Sequence, residues 1–172
     1  SVYLNATSTS ATTFGTSGIY KSSSTTGDFR NNIIVNVSTP GATGGFTVAH
    51  RWSGAYNATY YAATSNNNCF YAGTPSATNL IFYDGTNADQ TMADYKTRVS
   101  PRDAAAFSEN PPFINIATAP YNLHLQTTVA TQCESGGTPV TAPIAVAVDF
   151  DNDARNASTP DVGADEGSFT GL

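Results

Sequence analysis

Apolar residues in this chain come in short runs, three to five long, and almost nowhere in a helical period. Nine stretches read as strands: Val2–Leu4, Gly18–Tyr20, Ile33–Val37, Phe46–Ala49, Cys69–Tyr71, Leu80–Tyr83, Phe113–Ile116, Leu123–Leu125 and Val146–Val148. Each is rich in β-branched or aromatic side chains, and most are bounded by Gly, Pro, Asn, Asp or Ser. One segment breaks the pattern. Thr91-Met-Ala-Asp94 is a capping-box-like start, with Asp in place of Glu. Met92, Tyr95 and Val99 then fall on one helical stripe, and Ser100-Pro101 ends it. Asp103–Phe107 adds a further turn. Asp84-Gly85 is the best hairpin dipeptide, and such dipeptides are scarce, so hairpins do not dominate.

Two segments echo each other about 36 residues apart. Asn31-Asn32-Ile33-Ile34-Val35 and Asn66-Asn67-Asn68-Cys69-Phe70-Tyr71 both run from an Asn cluster into an apolar strand. Stacked asparagines at one corner of a parallel array would satisfy their amides along the stack. Asn clusters also serve plain turns, because Asn tolerates the left-handed backbone region.

Composition narrows the class. Ser, Thr and Asn make up 56 of the 172 residues, while charged residues are only 12 %. Hydroxyls and amides therefore cover the surface. Seven basic against thirteen acidic residues give a net charge of −6. That balance excludes ordinary nucleic-acid binding, which needs a basic face to displace phosphate counterions. No apolar run approaches the roughly 20 residues of a membrane span. Low Lys, high Thr/Ser/Asn/Gly and a pI near 4.5 resemble secreted bacterial proteins. The chain starts at Ser1 without a signal peptide, as expected of a mature product or an excised piece.

Two cysteines, Cys69 and Cys133, either pair in an oxidising compartment or pack as buried thiols. A bridge would close a loop of about 64 residues and add about 4 kcal/mol in the chain-entropy model. Four N-x-S/T sequons occur, at Asn5, Asn36, Asn57 and Asn156.

The most distinctive stretch is the tail. It reads Asp149-Phe-Asp151-Asn-Asp153-Ala-Arg155, then Pro160-Asp161-Val-Gly163-Ala-Asp165-Glu166. This resembles the closing segment of secreted bacterial right-handed parallel β-helix proteins, which end in D-x-D-x-D-x-R followed by P-D-[IV]-G-A-D-E. Asn31–Asn36, Ser65–Asn68, Asn79–Gly85 and Asn110–Leu125 fit the same group. The resemblance implies an all-β fold: a short right-handed parallel β-helix, or β-solenoid, with one short helix and long loops. It implies one domain over residues 1–172, with 149–172 as the closing segment. It also implies a cell-surface or secreted address, often ahead of a cleavable sorting tail, and the end at Leu172 fits removal of such a tail. Ala130–Gly137 departs from the group's apolar turn before the final strand and carries Cys133. A resemblance of this kind implies a fold and an address, not a reaction.

Candidate chemistry is sparse. Asp149, Asp151 and Asp153 look like the start of a calcium loop. Ala154 stands where an EF-hand loop has Gly, and Pro160 where it has the bidentate Glu, so the stretch departs from that loop. Another calcium site is one reading of these acids; turn capping and a pair with Arg155 is the other. His124 lies between Leu123 and Leu125, so its ring points away from them. His50 heads an aromatic run of Trp52, Tyr56, Tyr60 and Tyr61. Those rings either form a glycan-stacking platform or fill the core. The chain lacks G-x-S-x-G, H-E-x-x-H, Cys/His zinc spacing and a P-loop lysine. Two Lys, five Arg and three Glu leave few groups for a polysaccharide lyase or hydrolase.

A parallel array leaves backbone groups and core open at its ends, so it needs caps or partners. Residues 1–13 begin with a strand and continue polar and extended. Val2, Tyr3, Leu4, Asn5, Ala6 and Thr7 are therefore expected to add as a donated strand to another subunit. The partners expected are copies of the chain or neighbouring modules of a longer surface protein. The leading expectation is a non-catalytic extracellular fibre, sheath or adhesin module. A carbohydrate-binding surface module is the alternative.

Overall fold

Short β-branched and aromatic runs become short strands, and most of them pair in parallel. The computed structural model describes residues 1–172 and is mostly sheet with a single helix. Six strands succeed one another in the first half: β1 (Val2–Leu4), β2 (Thr16–Lys21), β3 (Ile33–Asn36), β4 (Thr47–Trp52), β5 (Cys69–Tyr71) and β6 (Asn79–Tyr83). The odd-numbered three form one open parallel sheet and the even-numbered three another. Val2 lies opposite Ile34, and Ile34 opposite Phe70; Thr16 lies opposite Thr47, and Thr47 opposite Asn79. Register partners on neighbouring strands of the two sheets are thus 31 to 36 residues apart. Pairing in the second sheet skips Gly18, Ala49 and Ile81. Gly18 is required there, because a Cβ would sit 2.4 Å from Ile34 Cγ2.

The Asn clusters form one corner of this arrangement. Asn31, Asn67 and Asp103 all adopt positive φ, at 55°, 57° and 51°, each 36 residues after the last. Beside them, Asn32 Nδ2 donates to Asn68 Oδ1 at 2.9 Å, and Asn68 Nδ2 donates to Asp103 Oδ1 at 2.8 Å. The expected amide ladder therefore forms, with an Asp as its last member.

Two apolar clusters sit on opposite faces of the β1–β3–β5 sheet. Ile34 and Phe70 point into the first, with Trp52, Tyr61, Phe82, Tyr95 and Val99. Ile33, Val35 and Cys69 point into the second, against Phe113, Leu125 and Val162. β3 is buried on both faces, which explains its unbroken Ile-Ile-Val run. The second cluster is supplied by the C-terminal half, through the antiparallel pair β8 (Phe113–Asn115) and β9 (Asn122–Leu125). A two-residue parallel pair, β10 (Ala130–Thr131) and β11 (Thr170–Gly171), completes the sheets.

One end of the stack is closed. β7 (Ala88–Asp89) pairs antiparallel with β6 across the Asp84-Gly85 turn. α1 (Met92–Val99) then lays Tyr95 and Val99 over the first cluster. Thr91 Oγ1 accepts from the Asp94 amide at 3.2 Å, as the capping pattern predicts. Arg98 holds Asp89 through two bonds of 2.5 and 2.6 Å, tying helix to strand. Phe107 occupies the outer edge of β5 by exchanging bonds with Phe70 and Asn68. The other end differs: no strand covers the outer edge of β1 or of β2.

The expected strand at Val146–Val148 does not form beyond a single bridge between Val148 and Ala154. Asp149 and Arg155 fold the chain back there, and Ile144, Val146, Val148 and Phe150 all stand exposed.

Candidate functional site

The tail motif is a structural knot made by carboxylates and backbone amides. Asp149 Oδ1 accepts from the amides of Asp151 and Asp153, and its Oδ2 from that of Glu166. These bonds hold its carboxyl below the ordinary range despite the cost of desolvation. Glu166 accepts from Asn156, Asp161 and Arg155, while Arg155 donates to the carbonyls of Asp161 and Gly163. Asp161 accepts from the amides of Ser135 and Gly167, and burial raises its carboxyl to about 6. The Val162 and Gly163 amides bond to Cys133 and Asn31, so the knot is bolted to the sheet.

Asp149, Asp151 and Asp153 therefore do not converge on a common point. The group that does converge is His124, Asp151 and Asp165, whose ligand atoms lie within 4.8 Å of one another. β9 places His124 outward, because Leu123 and Leu125 pack inward. Asn122 Oδ1 accepts from the His124 amide at 2.9 Å and lies 2.5 Å from Nδ1. His124 Nε2 lies 2.6 Å from Asp151 Oδ2. Asp165 Oδ2 accepts from the Leu125 amide at 2.8 Å. The bond to Asp151 raises the imidazole above its ordinary pKa. Both nitrogens face oxygen acceptors, an arrangement that favours the protonated ring. Alongside lies a cleft of about 660 Å³, where Tyr121 and Phe150 are 67 % and 80 % exposed. The sequence signalled only that His124 points away from the leucines; the neighbours are 27 and 41 residues off.

The aromatic run forms no glycan platform. Trp52 and Tyr61 are each 1 % exposed, and Tyr56 and Tyr60 pack half-buried against the same cluster. Trp52 ends an inward-facing row on β4, with the Lys21 ammonium 3.8 Å over its ring. These rings enclose a polar chain of one-way donors. Trp52 Nε1 donates to His50 Nε2 at 3.1 Å, so Nδ1 carries the proton and donates to Tyr95 Oη at 3.2 Å. Tyr95 and Tyr61 both donate to Asp103 Oδ2. Burial, then Lys21, lowers the His50 pKa to about 3, and burial raises that of Asp103. These groups are inaccessible and serve to lock α1 and the corner onto the core.

The first strand is not a free donor. Ile34 and Val35 pair with Val2 and Tyr3, and the Thr39 amide donates to Ala6, so Val2–Thr7 belong to this chain's own sheet. What they offer is an outer edge. Cys69 and Cys133 are free, fully buried thiols in the second cluster rather than a bridge. Of the four sequons, Asn36 is buried and bonded to Thr16 and Val48; Asn57 and Asn156 are exposed but cap their own turns. Asn5 is exposed.

Compared with known protein families, curated proteins and solved structures, the chain matches none.

Proposed function

We propose that the chain is an extracellular, non-catalytic structural module. It is a short right-handed parallel β-solenoid that joins a second copy of itself through the open edge of its first pass. In-register parallel pairing at 31 to 36 residues and the repeated Asn31–Asn67–Asp103 corner support the solenoid reading. Parallel crossovers are right-handed in about 98 % of cases, which supports the hand. The hydroxyl- and amide-rich surface and the tail's likeness to secreted β-helix proteins support the address.

The observation that carries the assembly is the asymmetry of the ends. β7, α1 and Phe107 close one end, while β1 and β2 leave their outer edges unpaired at the other. Natural sheets guard such edges with Lys, Pro or inward charge. The β1 edge carries no such guard, since residues 1–13 contain no charged side chain and no Pro, whereas β2 ends on Lys21, whose ammonium turns inward over Trp52, so the contact is made through β1. Leu4 and Ala6 turn their carbonyls to Val37 and Thr39, so strand alternation turns the amides of Tyr3 and Asn5 outward. A second copy meets that edge strand to strand, and backbone hydrogen bonds supply the contact.

Asn5→Pro tests this. It removes one outward N–H from an exposed position and leaves the inward bonds intact. Light scattering after gel filtration should give twice 17.9 kDa for the natural chain and one chain mass for the variant. Both should share one far-UV CD spectrum. A natural chain that stays monomeric, or a variant that still pairs equally well, overturns the reading.

A further inference from the structure

We propose that His124, Asp151 and Asp165 bind a divalent first-row transition cation, for which zinc is the best probe, and that the ion staples the closing segment to the β8–β9 hairpin. The three side chains come from separate parts of the chain, yet their ligand atoms gather within 4.8 Å. Asp151 belongs to the turn that Asp149 organises, Asp165 to the knot, and His124 to β9. Each is placed by bonds that leave its ligating atoms facing the others.

Asn122 supplies the orientation that a metal-binding imidazole requires. Its Oδ1 already accepts the His124 amide, which fixes the carboxamide with oxygen toward the ring. A carbonyl oxygen only accepts, so Nδ1 must carry a proton and Nε2 is the atom turned to the carboxylates. This is the outer-sphere arrangement that sets tautomer and ring plane for a histidine ligand. Without an ion, a second proton on Nε2 bridges to Asp151 at 2.6 Å. The cation takes the place of that proton. Zinc bonds to N and O run about 2.0–2.2 Å, so the Nε2 and Oδ2 atoms must part slightly. Their side chains are 38 % and 44 % exposed, which leaves room to do so.

The donor set selects the ion class. Imidazole favours zinc and its neighbours, whereas calcium and magnesium prefer all-oxygen shells. One nitrogen and two carboxylates cancel a 2+ charge and leave a fourth position for water or an oxygen from an occupant of the adjoining cleft.

Calorimetric titration with zinc chloride tests the proposal on the intact chain, with calcium chloride as the contrasting probe. One equivalent of zinc should bind. His124→Gln and Asp165→Asn should each weaken it at least about tenfold, and Asn122→Ala about 10- to 100-fold through lost orientation. Asn at position 165 can still accept the Leu125 amide, so the fold is kept. Saturating zinc should also abolish the His124 imidazole titration in NMR. No zinc uptake overturns the proposal. Equal uptake by all variants means an adventitious ion only and overturns it as well. Calcium binding tighter than zinc and indifferent to His124→Gln does the same.

Discussion

Acidification should unfasten this protein through one buried imidazole. His50 is fully buried, accepts from Trp52, donates to Tyr95, and has a pKa lowered to about 3. In the unfolded chain its pKa is about 6.5. A base depressed in the fold contributes stability that is fully present above pH 6.5 and is lost as pH falls toward 3. At 1.36 kcal/mol per pH unit, lowering the pH from 7 to 4 removes about 3 kcal/mol through this residue alone. Two carboxyls work in the opposite sense. Burial raises Asp161 to about 6 and Asp103 above its usual value, so their contribution is full below about 3.8 and is lost as pH rises through the folded pKa. The natural chain alone would therefore show only the sum. His50→Gln separates them, because it removes the imidazole titration and leaves both carboxyls. Urea unfolding should be measured at pH 7 and pH 4 on both proteins. The natural chain should lose about 3 kcal/mol more than the variant over that interval. Equal losses would refute the reasoning, as would an NMR titration of His50 in the folded protein with a midpoint above 5.

Two further outcomes follow from the same structure. Burial, then the adjoining Cys133 thiol, pushes the Cys69 thiol well above its ordinary pKa. Cys69 should therefore stay unmodified by iodoacetamide at pH 8 in the folded protein and react fully once urea unfolds it, as mass spectrometry would record. Asp149→Ala removes the acceptor for three backbone amides and should cost about 1–3 kcal/mol in urea unfolding, whereas Asp153→Ala, an exposed neighbour, should change it by less than about 0.5 kcal/mol.

Local chemistry made parts of this fold readable from the chain. The capping pattern at Thr91–Asp94 and the stripe of Met92, Tyr95 and Val99 place α1 correctly, because both signals act within a few residues. The Asn clusters mark the corner, since only residues tolerant of positive φ fit there. Asp103, the third member, carries no such mark because it lies between Arg102 and a run of alanines rather than among asparagines. Burial was less legible than strand position. Trp52, Tyr56, Tyr60 and Tyr61 look alike whether they cover a surface or fill a core, and only the inward set of β4 decides it. Val146–Val148 has strand chemistry but finds no sheet edge, because the turns on either side direct it outward. The His124 cluster depends on the path of the tail knot, which no local pattern encodes.

The closed and open ends together limit how such a module can grow. A head-to-tail stack needs the last pass of one copy to offer an edge to the first pass of the next. Here β7 occupies the edge of β6, Phe107 that of β5, and α1 covers the core between them. In the proposed pairing like ends would therefore meet, and two like ends meet about a two-fold axis. Such a contact uses both open edges at once and leaves none for a third copy. The resulting pair presents two closed ends outward and a doubled, hydroxyl-rich flank. Longer assemblies would have to use a different surface, and Ile144, Val146, Val148 and Phe150 offer exposed apolar side chains for it. The edge of the first pass and those side chains would thus divide the work. Under the proposed pairing, the edge would make a pair that ends growth along the stack, and these exposed side chains would be where pairs are joined side by side.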